Sequence, residues 1–436
     1  MSVDESVYIA QVAELGESRE VIATEDVRAL NGTKLLARGA RIDRAALDRL
    51  LRHKLLKPID YTTSVKDAVD QATLVTVAAE LMVRDTETAA LLRCMRDESF
   101  PQQAFRRVRL LPVIRNKLSV ARHLYPPLFE HSLWVTLAAT VIAEQLGWSE
   151  PQLEILATAA LTHDIGALHI EATRLHRSER LQAEHWRQIH THSRIGYLIL
   201  EEFPQYRPHI SRAVLEHHER MDGSGYPKGC SGSGISPAGR VLSFADFAVA
   251  TAQRMGLRHM FTITKTQPRA FDREVVGVLA KAMQRFGDVL QPAVSRVDVD
   301  TLRDVLTTVS EILSAAPPKA PPESAPPRLV RNIELLRRAI AHMQMMMHRT
   351  GFALTDTDSW IEMLKSDPEL HAELESLLQE AHFQLQGLLL ELRRRTHPGA
   401  EGMAGCEHLR SWMATAEVVV ERMRERLPYP LQPQQA

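Results

Sequence analysis

The chain has 436 residues, 44% hydrophobic and 25% charged, which is typical of a globular protein of about two to four domains. Its 53 basic and 54 acidic residues nearly cancel, so no long-range field favours nucleic acid or an anionic membrane. Three scattered cysteines, Cys94, Cys230 and Cys406, argue against a disulfide framework and favour a reducing compartment. The first residues lack a signal-peptide pattern, and no apolar run approaches the roughly 20 residues of a membrane span. We therefore expect a soluble, cytoplasmic protein.

Residues 1–70 are predicted to form a small α+β domain. Val7–Val12 alternates like a strand, and a short apolar strand is expected between the turn signals at Asn31–Gly39. Asp43 is predicted to cap a helix that follows it. The region lacks the acidic pattern of a phospho-acceptor receiver domain, so we expect a regulatory or packing role for it.

The middle of the chain is predicted to be helical. Residues 71–114 are typical of a helical connector, and residues 115–313 of a long helical domain with one glycine-rich interruption at Asp222–Gly239. Residues 314–328 are rich in proline and predict an extended linker, which is the clearest domain boundary in the chain.

Residues 329–436 are predicted to form a separate C-terminal helical module, with helices at Val330–Arg349, Asp367–Arg395 and Cys406–Leu427. The stretch His342–His348 offers soft ligands for a metal or haem, but methionines on a helix more often fill a core. The long second helix suits self-association, which would give a homodimer, or the binding of a partner helix.

Seven histidine and aspartate residues recur along otherwise apolar, helical segments. Apart from two adjacent pairs, successive members lie 25 to 32 residues apart. Helical hairpins of this length return the chain to the same level of a bundle, so we expect the side chains to meet there. The set comprises His131, His163, Asp164, His192, His217, His218 and Asp246.

Buried polar side chains at one level of a bundle need a partner, and divalent metal ions are a suitable one. Imidazole nitrogen with carboxylate oxygen favours iron, manganese or zinc, and seven ligands suit two ions better than one tetrahedral zinc. Asp164 has two oxygens and is expected to bridge both ions. For any single histidine a core or surface role is the simpler interpretation, but the seven together favour metal. His190, two positions before His192, is predicted to face solvent because it would point about 200° away on a helix.

Two stretches of the chain resemble the signatures of HD-GYP domains. Residues Thr162–Gly166, THDIG, resemble the HD-x-G signature, and residues His217–Pro227, HHERMDGSGYP, resemble HHExxDGxGYP. His192–Gly196 and Arg240–Asp246 are similar to motifs that flank these signatures in the family. The resemblance covers about residues 115 to 313, and its second signature is long and specific.

The resemblance implies a mainly α fold: an HD-GYP helical bundle flanked by the small α+β domain and the C-terminal helical module. It also implies a cyclic-dinucleotide phosphodiesterase that hydrolyses cyclic di-GMP to linear pGpG and GMP in bacterial second-messenger signalling. The implied cofactors are two divalent metal ions, iron or manganese. Two such cations lower the pKa of a bridging water, and the resulting hydroxide would attack the phosphorus atom.

Carried over by position, the resemblance also implies roles for individual residues. His163 and Asp164 would stand at the catalytic centre. One ion would be held by His131, His163, Asp164 and Asp246, and the other by Asp164, His192 and either His217 or His218. The loop implied to face substrate or a GGDEF-type signalling partner contains Asp222, Gly223, Gly225, Tyr226 and Pro227. Its glycines and proline equally suit a tight connection.

The sequence departs from the family beside the expected phosphates. The lysine that follows HD-x-G in the family is replaced by Ala167 here. Members that bind three metal ions have a glutamate four residues before the first histidine of the set, and this position is Pro127 here, so two ions are expected. Arg254 and Arg258 are candidates for phosphate contacts, or solvated helix charges. An enzyme of reduced activity and a metal-containing nucleotide sensor or protein-docking module therefore remain as alternatives. The complete ligand set favours the enzyme.

Overall fold

The structure, a computed structural model, describes residues 5–95, 100–171, 188–266, 269–286, 295, 297–315, 327–349, 357–395 and 407–427. The chain divides into two compact units. One comprises Met1–Leu181, His185–Ala250 and Arg269–Gly287, and the other comprises Gln182–Glu184, Thr251–Pro268 and Asp288–Ala436.

Helices dominate the described residues, in agreement with the predicted mainly α fold. The helices are α1 (Ser6–Ser18), α2 (Arg44–Leu51), α3 (Gln71–Arg84), α4 (Thr86–Met95), α5 (Phe100–Arg106), α6 (Pro112–Leu124), α7 (Pro126–Gln145), α8 (Glu150–Thr162), α9 (His192–Glu201), α10 (His209–Glu216), α11 (Pro237–Met255), α12 (Leu257–Thr266), α13 (Arg273–Phe286), α14 (Val299–Ser314), α15 (Pro327–Arg349), α16 (Thr357–Ser366), α17 (Pro368–Arg395) and α18 (Glu407–Arg426). Short 3₁₀ helices lie at Ile59–Tyr61, Ile165–His169 and Gly232–Gly234.

The N-terminal part contains four short strands in two antiparallel pairs. β1 (Val21–Ala23) pairs with β4 (Thr63–Val65), and β2 (Val27–Arg28) pairs with β3 (Lys34–Leu36). The predicted strand between the turn signals is thus confirmed as β3. The predicted cap is confirmed as well, because the Asp43 carboxylate accepts a hydrogen bond of 3.1 Å from the Ala46 backbone N–H at the start of α2.

The predicted strand at Val7–Val12 is wrong, because this segment lies in α1. Alternation over so short a stretch does not distinguish a strand from one face of a helix. Over the whole of α1, burial follows a helical period: Tyr8 and Ile9 are buried, then Val12 and Ala13 one turn later.

Helix α7 is the central helix of the bundle in the first unit. Its residues from Ser132 to Ala143 are all buried, as expected for a helix that is apolar on every side. α7 packs along α8, α8 also contacts α10, and α9 pairs with α10. These helices carry most of the predicted ligands, so their packing sets the position of the site.

The second unit has its own core, to which α14–α18 contribute. The predicted C-terminal helices are confirmed as α15, α17 and α18, and the sequence missed α16. The interpretation of the methionines as core filler is confirmed, because Met343, Met346 and Met347 are buried in this core. Most of the predicted proline-rich linker lies outside the described residues.

The predicted domain boundaries stay a prediction, with one difference to report. α14, which the sequence assigned to the 115–313 domain, contacts α16, α17 and α18 of the second unit. The indole N–H of Trp412 on α18 donates a hydrogen bond of 3.4 Å to the Ile312 carbonyl of α14. Among the described residues, no helix is both long and apolar enough to cross a membrane.

We expect Glu5→Gln to stabilise the protein at about pH 8 and to change it little at about pH 5. Burial raises the pKa of Glu5 from 4.5 to about 7, against the opposing charge of Lys117. Folding therefore favours the protonated acid, and stability falls as pH rises between these two values. Thermal unfolding of both proteins across this range measures the effect.

Glu14→Gln is the matched control, because Glu14 is an exposed glutamate on the same helix. It should give no pH-dependent difference in Tm. A Glu5→Gln protein whose Tm differs from wild type by the same amount at both pH values would contradict the prediction.

Candidate metal centre

The first unit brings all seven predicted ligands to one place. They come from five segments of the chain that are far apart in sequence. His131 lies on α7, His163 and Asp164 follow the end of α8, His192 begins α9, His217 and His218 follow α10, and Asp246 lies on α11.

The ligand atoms form two groups, each within 4.8 Å: His131 with His163 and Asp164, and His192 with His217 and His218. Asp164 lies between the groups, because its Oδ2 is 3.3 Å from His163 Nε2 and its Oδ1 is 3.2 Å from His192 Nε2. One carboxylate thus presents a different oxygen to each group, as a bridging ligand would.

Asp246 is the second carboxylate of the cluster. Its Oδ1 lies 3.0 Å from His131 Nε2 and its Oδ2 lies 3.6 Å from His218 Nδ1. The Nε2 atom of His218 is 3.1 Å from that of His192. His218 therefore has one ring nitrogen near each group.

Three of the histidines are oriented by backbone carbonyls of the segments that carry them. The Nδ1 atoms of His163, His192 and His217 lie 2.8, 2.5 and 2.6 Å from the backbone carbonyls three residues earlier. A carbonyl only accepts hydrogen bonds, so each Nδ1 must carry the proton. In the neutral ring Nε2 is then unprotonated and carries a lone pair, and all three lone pairs point into the cluster.

This arrangement fits divalent metal ions. The Nε2 atoms of His192 and His217 are 3.0 Å apart, although both are acceptors when the rings are neutral. The buried Nε2 of His163 makes no hydrogen bond. A cation relieves the repulsion between converging lone pairs and satisfies the buried nitrogen, and histidines that ligate metal commonly donate their other N–H in this way.

The protonation states suit the same chemistry. Burial lowers the pKa of His217 to about 3 and holds the pKa of His218 well below its usual value. Burial alone would lower the pKa of His163, but the charges of Asp164 and Asp246 raise it to about 9. The His217 and His218 rings are therefore neutral near pH 7 and have lone pairs to donate.

Glycine allows two of the ligand-bearing segments to approach closely. A Cβ atom on Gly166 would lie 2.0 Å from the His192 carbonyl oxygen and 2.6 Å from the Gly196 backbone nitrogen. The 3₁₀ helix after Asp164 can therefore contact the start of α9 only with glycine at this position. Ala167, which stands where the family has lysine, is buried in the same 3₁₀ helix.

The loop that carries the second signature is fixed by a buried carboxylate. Glu219, 1% exposed, accepts hydrogen bonds of 2.7 and 2.8 Å from the backbone N–H groups of Lys228 and Cys230. A Cβ on Gly225 would lie 2.4 Å from the His218 carbonyl oxygen, so glycine lets the loop fold back onto the ligand pair. The sequence interpretation gave Glu219 no role, although its place directly after His217-His218 was a signal.

Tyr226 of the loop stacks on the cluster. Its ring centroid is 4.6 Å from that of His218, and the His190 ring stacks on Tyr226 at 4.1 Å. The prediction that His190 faces solvent is therefore wrong. α9 begins only at His192, and His190 lies in the preceding turn, where a helical rotation angle does not apply.

The proposed phosphate contacts of two arginines stay a prediction. Arg254 lies in the last turn of α11 within the second unit, and its guanidinium carbon is 5.1 Å from the centroid of the Phe383 ring. The side chain of Arg258 lies outside the described residues.

The central part of the chain is similar to known proteins. Residues 114–275 match the HD domain family. Over 165 residues the chain is 31% identical to a 3'3'-cGAMP-specific phosphodiesterase 3 of Vibrio cholerae, a match that covers 36% of each chain. Over 109 residues it is 37% identical to the cyclic di-GMP phosphodiesterase response regulator RpfG of Xanthomonas campestris, covering 25% of this chain and 29% of the relative.

These alignments span about a third of the length of each relative. A solved HDG"Y"P protein from Bdellovibrio bacteriovorus, Bd1817, aligns over 62% of this chain and 98% of its own, with 14% identity and a TM-score of 0.33, too loose an alignment to bear on the site. The match over residues 114–275 and the curated relatives confirm the predicted resemblance to HD-GYP proteins for this part of the chain.

We expect Gly166→Ala to weaken binding of Mn²⁺ by about tenfold or more. The added methyl group must push the His192 backbone away, which separates Asp164 from His192. Calorimetric titration of the metal-free protein measures the affinity. Gly277→Ala on α13 is the control, because a Cβ there meets open space. A folded Gly166→Ala protein with wild-type affinity would show that this contact does not set the cluster.

Proposed function

We propose that the protein is a metal-dependent phosphodiesterase that hydrolyses a 3'3'-cyclic dinucleotide in bacterial second-messenger signalling. The observation that carries this proposal is the convergence of histidine Nε2 atoms and two carboxylates in one buried cluster. The names of its relatives supply the substrate class, because they act on cyclic di-GMP or 3'3'-cGAMP. The proposed substrate is cyclic di-GMP, with pGpG and GMP as products.

Two divalent ions, iron or manganese, are the proposed cofactors. One would be held by His131, His163, Asp164 and Asp246, and the other by Asp164, His192, His217 and His218. When bound, such ions supply Lewis-acid stabilisation of charge on phosphate oxygens and lower the pKa of a coordinated water.

The protein's own residues orient the ligands for this chemistry. The three backbone carbonyls that accept from Nδ1 hold the imidazoles in one tautomer, so each ring presents a lone pair without reorganisation. Glu219 holds the loop against the ligand pair, and the Tyr226 ring lies beside that of His218, with centroids 4.6 Å apart. Asp164 and Asp246 keep the cluster anionic, because positive charges and hydrogen bonds hold both of their pKa values below the usual range against the effect of burial.

A second function is favoured by a separate observation. The position that carries lysine in the family is a buried alanine, Ala167, so it provides no cation for a substrate phosphate. A metal-containing nucleotide sensor or docking module is therefore the alternative proposal. Docking of a GGDEF-type partner on the loop Asp222–Pro227 and formation of a homodimer remain predictions.

The deciding experiment is turnover by the anaerobically purified protein loaded with iron(II) or manganese(II). Cyclic di-GMP and 3'3'-cGAMP are supplied separately, and linear dinucleotide and mononucleotide are followed by chromatography. We expect product, and a loss of about two orders of magnitude or more in Asp164→Asn, because one oxygen of the bridging carboxylate is replaced by a neutral donor.

Asp272→Asn is the matched control, since Asp272 is an ion-paired aspartate of the same unit, 3.2 Å from Arg240. Its turnover should stay near that of wild type. Product from 3'3'-cGAMP alone would reassign the substrate. Two bound metal ions without any product would favour the sensor.

A further inference from the structure

A second buried polar cluster lies in the first unit, outside the metal centre. Lys117 on α6 is 3% exposed, and its ammonium is 2.7 Å from Asp60 Oδ2 and 3.1 Å from His169 Nε2. The hydroxyl of Tyr8 on α1 donates a hydrogen bond of 2.5 Å to Asp60 Oδ1. The Lys117 ammonium also lies 3.7 Å from the centroid of the Tyr8 ring, which stacks on His169 at 5.0 Å.

The chemistry of these groups fixes their roles. An ammonium only donates hydrogen bonds, so Nε2 of His169 must accept and its Nδ1 carries the proton. The Asp60 carboxylate balances the buried charge of Lys117 and also accepts from Tyr8. Three segments distant in sequence thus hold the His169 ring in one orientation.

His169 ends the 3₁₀ helix Ile165–His169, whose other end follows Asp164 directly. The 3₁₀ helix is a short element with poor hydrogen-bond geometry, so its position depends on contacts from outside. It receives them from α1, α6 and α9. At one end it is joined to the bridging carboxylate of the metal cluster, and at the other it is held by Lys117.

Stability alone does not account for this cluster. A buried ion pair costs desolvation, and apolar replacements of similar volume are often neutral or stabilising. What the hydrogen bonds supply is a defined position for the groups they join. The element positioned here is the one that begins beside Asp164.

We propose that His169, held by the Tyr8–Asp60–Lys117 network, is a positioning residue for Asp164 in the metal centre. The proposal rests on the proposed function in so far as Asp164 ligates the ions. It assigns the N-terminal part of the chain a direct role in setting the cluster, in addition to any regulatory role.

The test compares three variants of the full chain. His169→Leu removes the acceptor for Lys117, and His169→Gln retains one in its amide oxygen. Tyr206→Phe is the matched control: Tyr206 is also fully buried in this unit, and its hydroxyl bonds to the Arg109 carbonyl at 2.8 Å and the Leu111 N–H at 3.2 Å. The readouts are Mn²⁺ affinity, Tm, and amide hydrogen exchange of residues 165–170 in the metal-free protein.

We expect His169→Leu to weaken Mn²⁺ binding by about 10- to 100-fold, as for other residues that orient metal ligands, and to speed exchange in residues 165–170. His169→Gln should recover most of the affinity. Tyr206→Phe should lower Tm without changing either readout.

Wild-type Mn²⁺ affinity in His169→Leu would overturn the proposal, and so would an equal loss of affinity in Tyr206→Phe. A wild-type protein that binds no Mn²⁺ would instead refute the proposed metal-dependent function. In that case hydrogen exchange would test the positioning role of His169. Faster exchange of residues 165–170 in His169→Leu but not in Tyr206→Phe supports this role, and unchanged exchange in His169→Leu overturns it.

Discussion

The site depends on one repeated hydrogen bond, from a histidine Nδ1 to the carbonyl three residues earlier. Because His163, His192 and His217 all make it at or near a helix end, the backbone directs their Nε2 atoms into the cluster. Preorganisation of this kind favours metal binding, since little side-chain entropy is lost when the ion arrives.

Two glycines and a buried carboxylate hold these helix ends together. Gly166 allows the segment after Asp164 to touch the start of α9, and Gly225 allows the loop to return to His218. Glu219 then fixes the loop through two backbone N–H groups. Close backbone approach and buried carboxylates are costly in general, and their concentration around one cluster is typical of a functional site.

Much of the site could be predicted from sequence because its ligands lie on strongly apolar helices at regular intervals. The helix cap at Asp43 and strand β3 could also be predicted, since caps and turns have local sequence signatures. The position of His190 could not be predicted, because the turn that precedes α9 leaves no mark in the pattern of apolar residues. The Tyr8–Asp60–Lys117 contacts join residues about fifty positions apart, and no local periodicity of the sequence predicts such contacts.

The pairing of Lys117 with Asp60 bears on how this architecture can change in evolution. Lys117 falls inside the stretch that motifs would assign to the HD domain, whereas its counterion belongs to the N-terminal part of the chain. A gene fusion that joined a different N-terminal domain at residue 115 would bury an ammonium ion without its carboxylate. Recombination between these two positions therefore destabilises the product, and exchange of the N-terminal domain requires either a crossover upstream of Asp60 or a compensating change at Lys117.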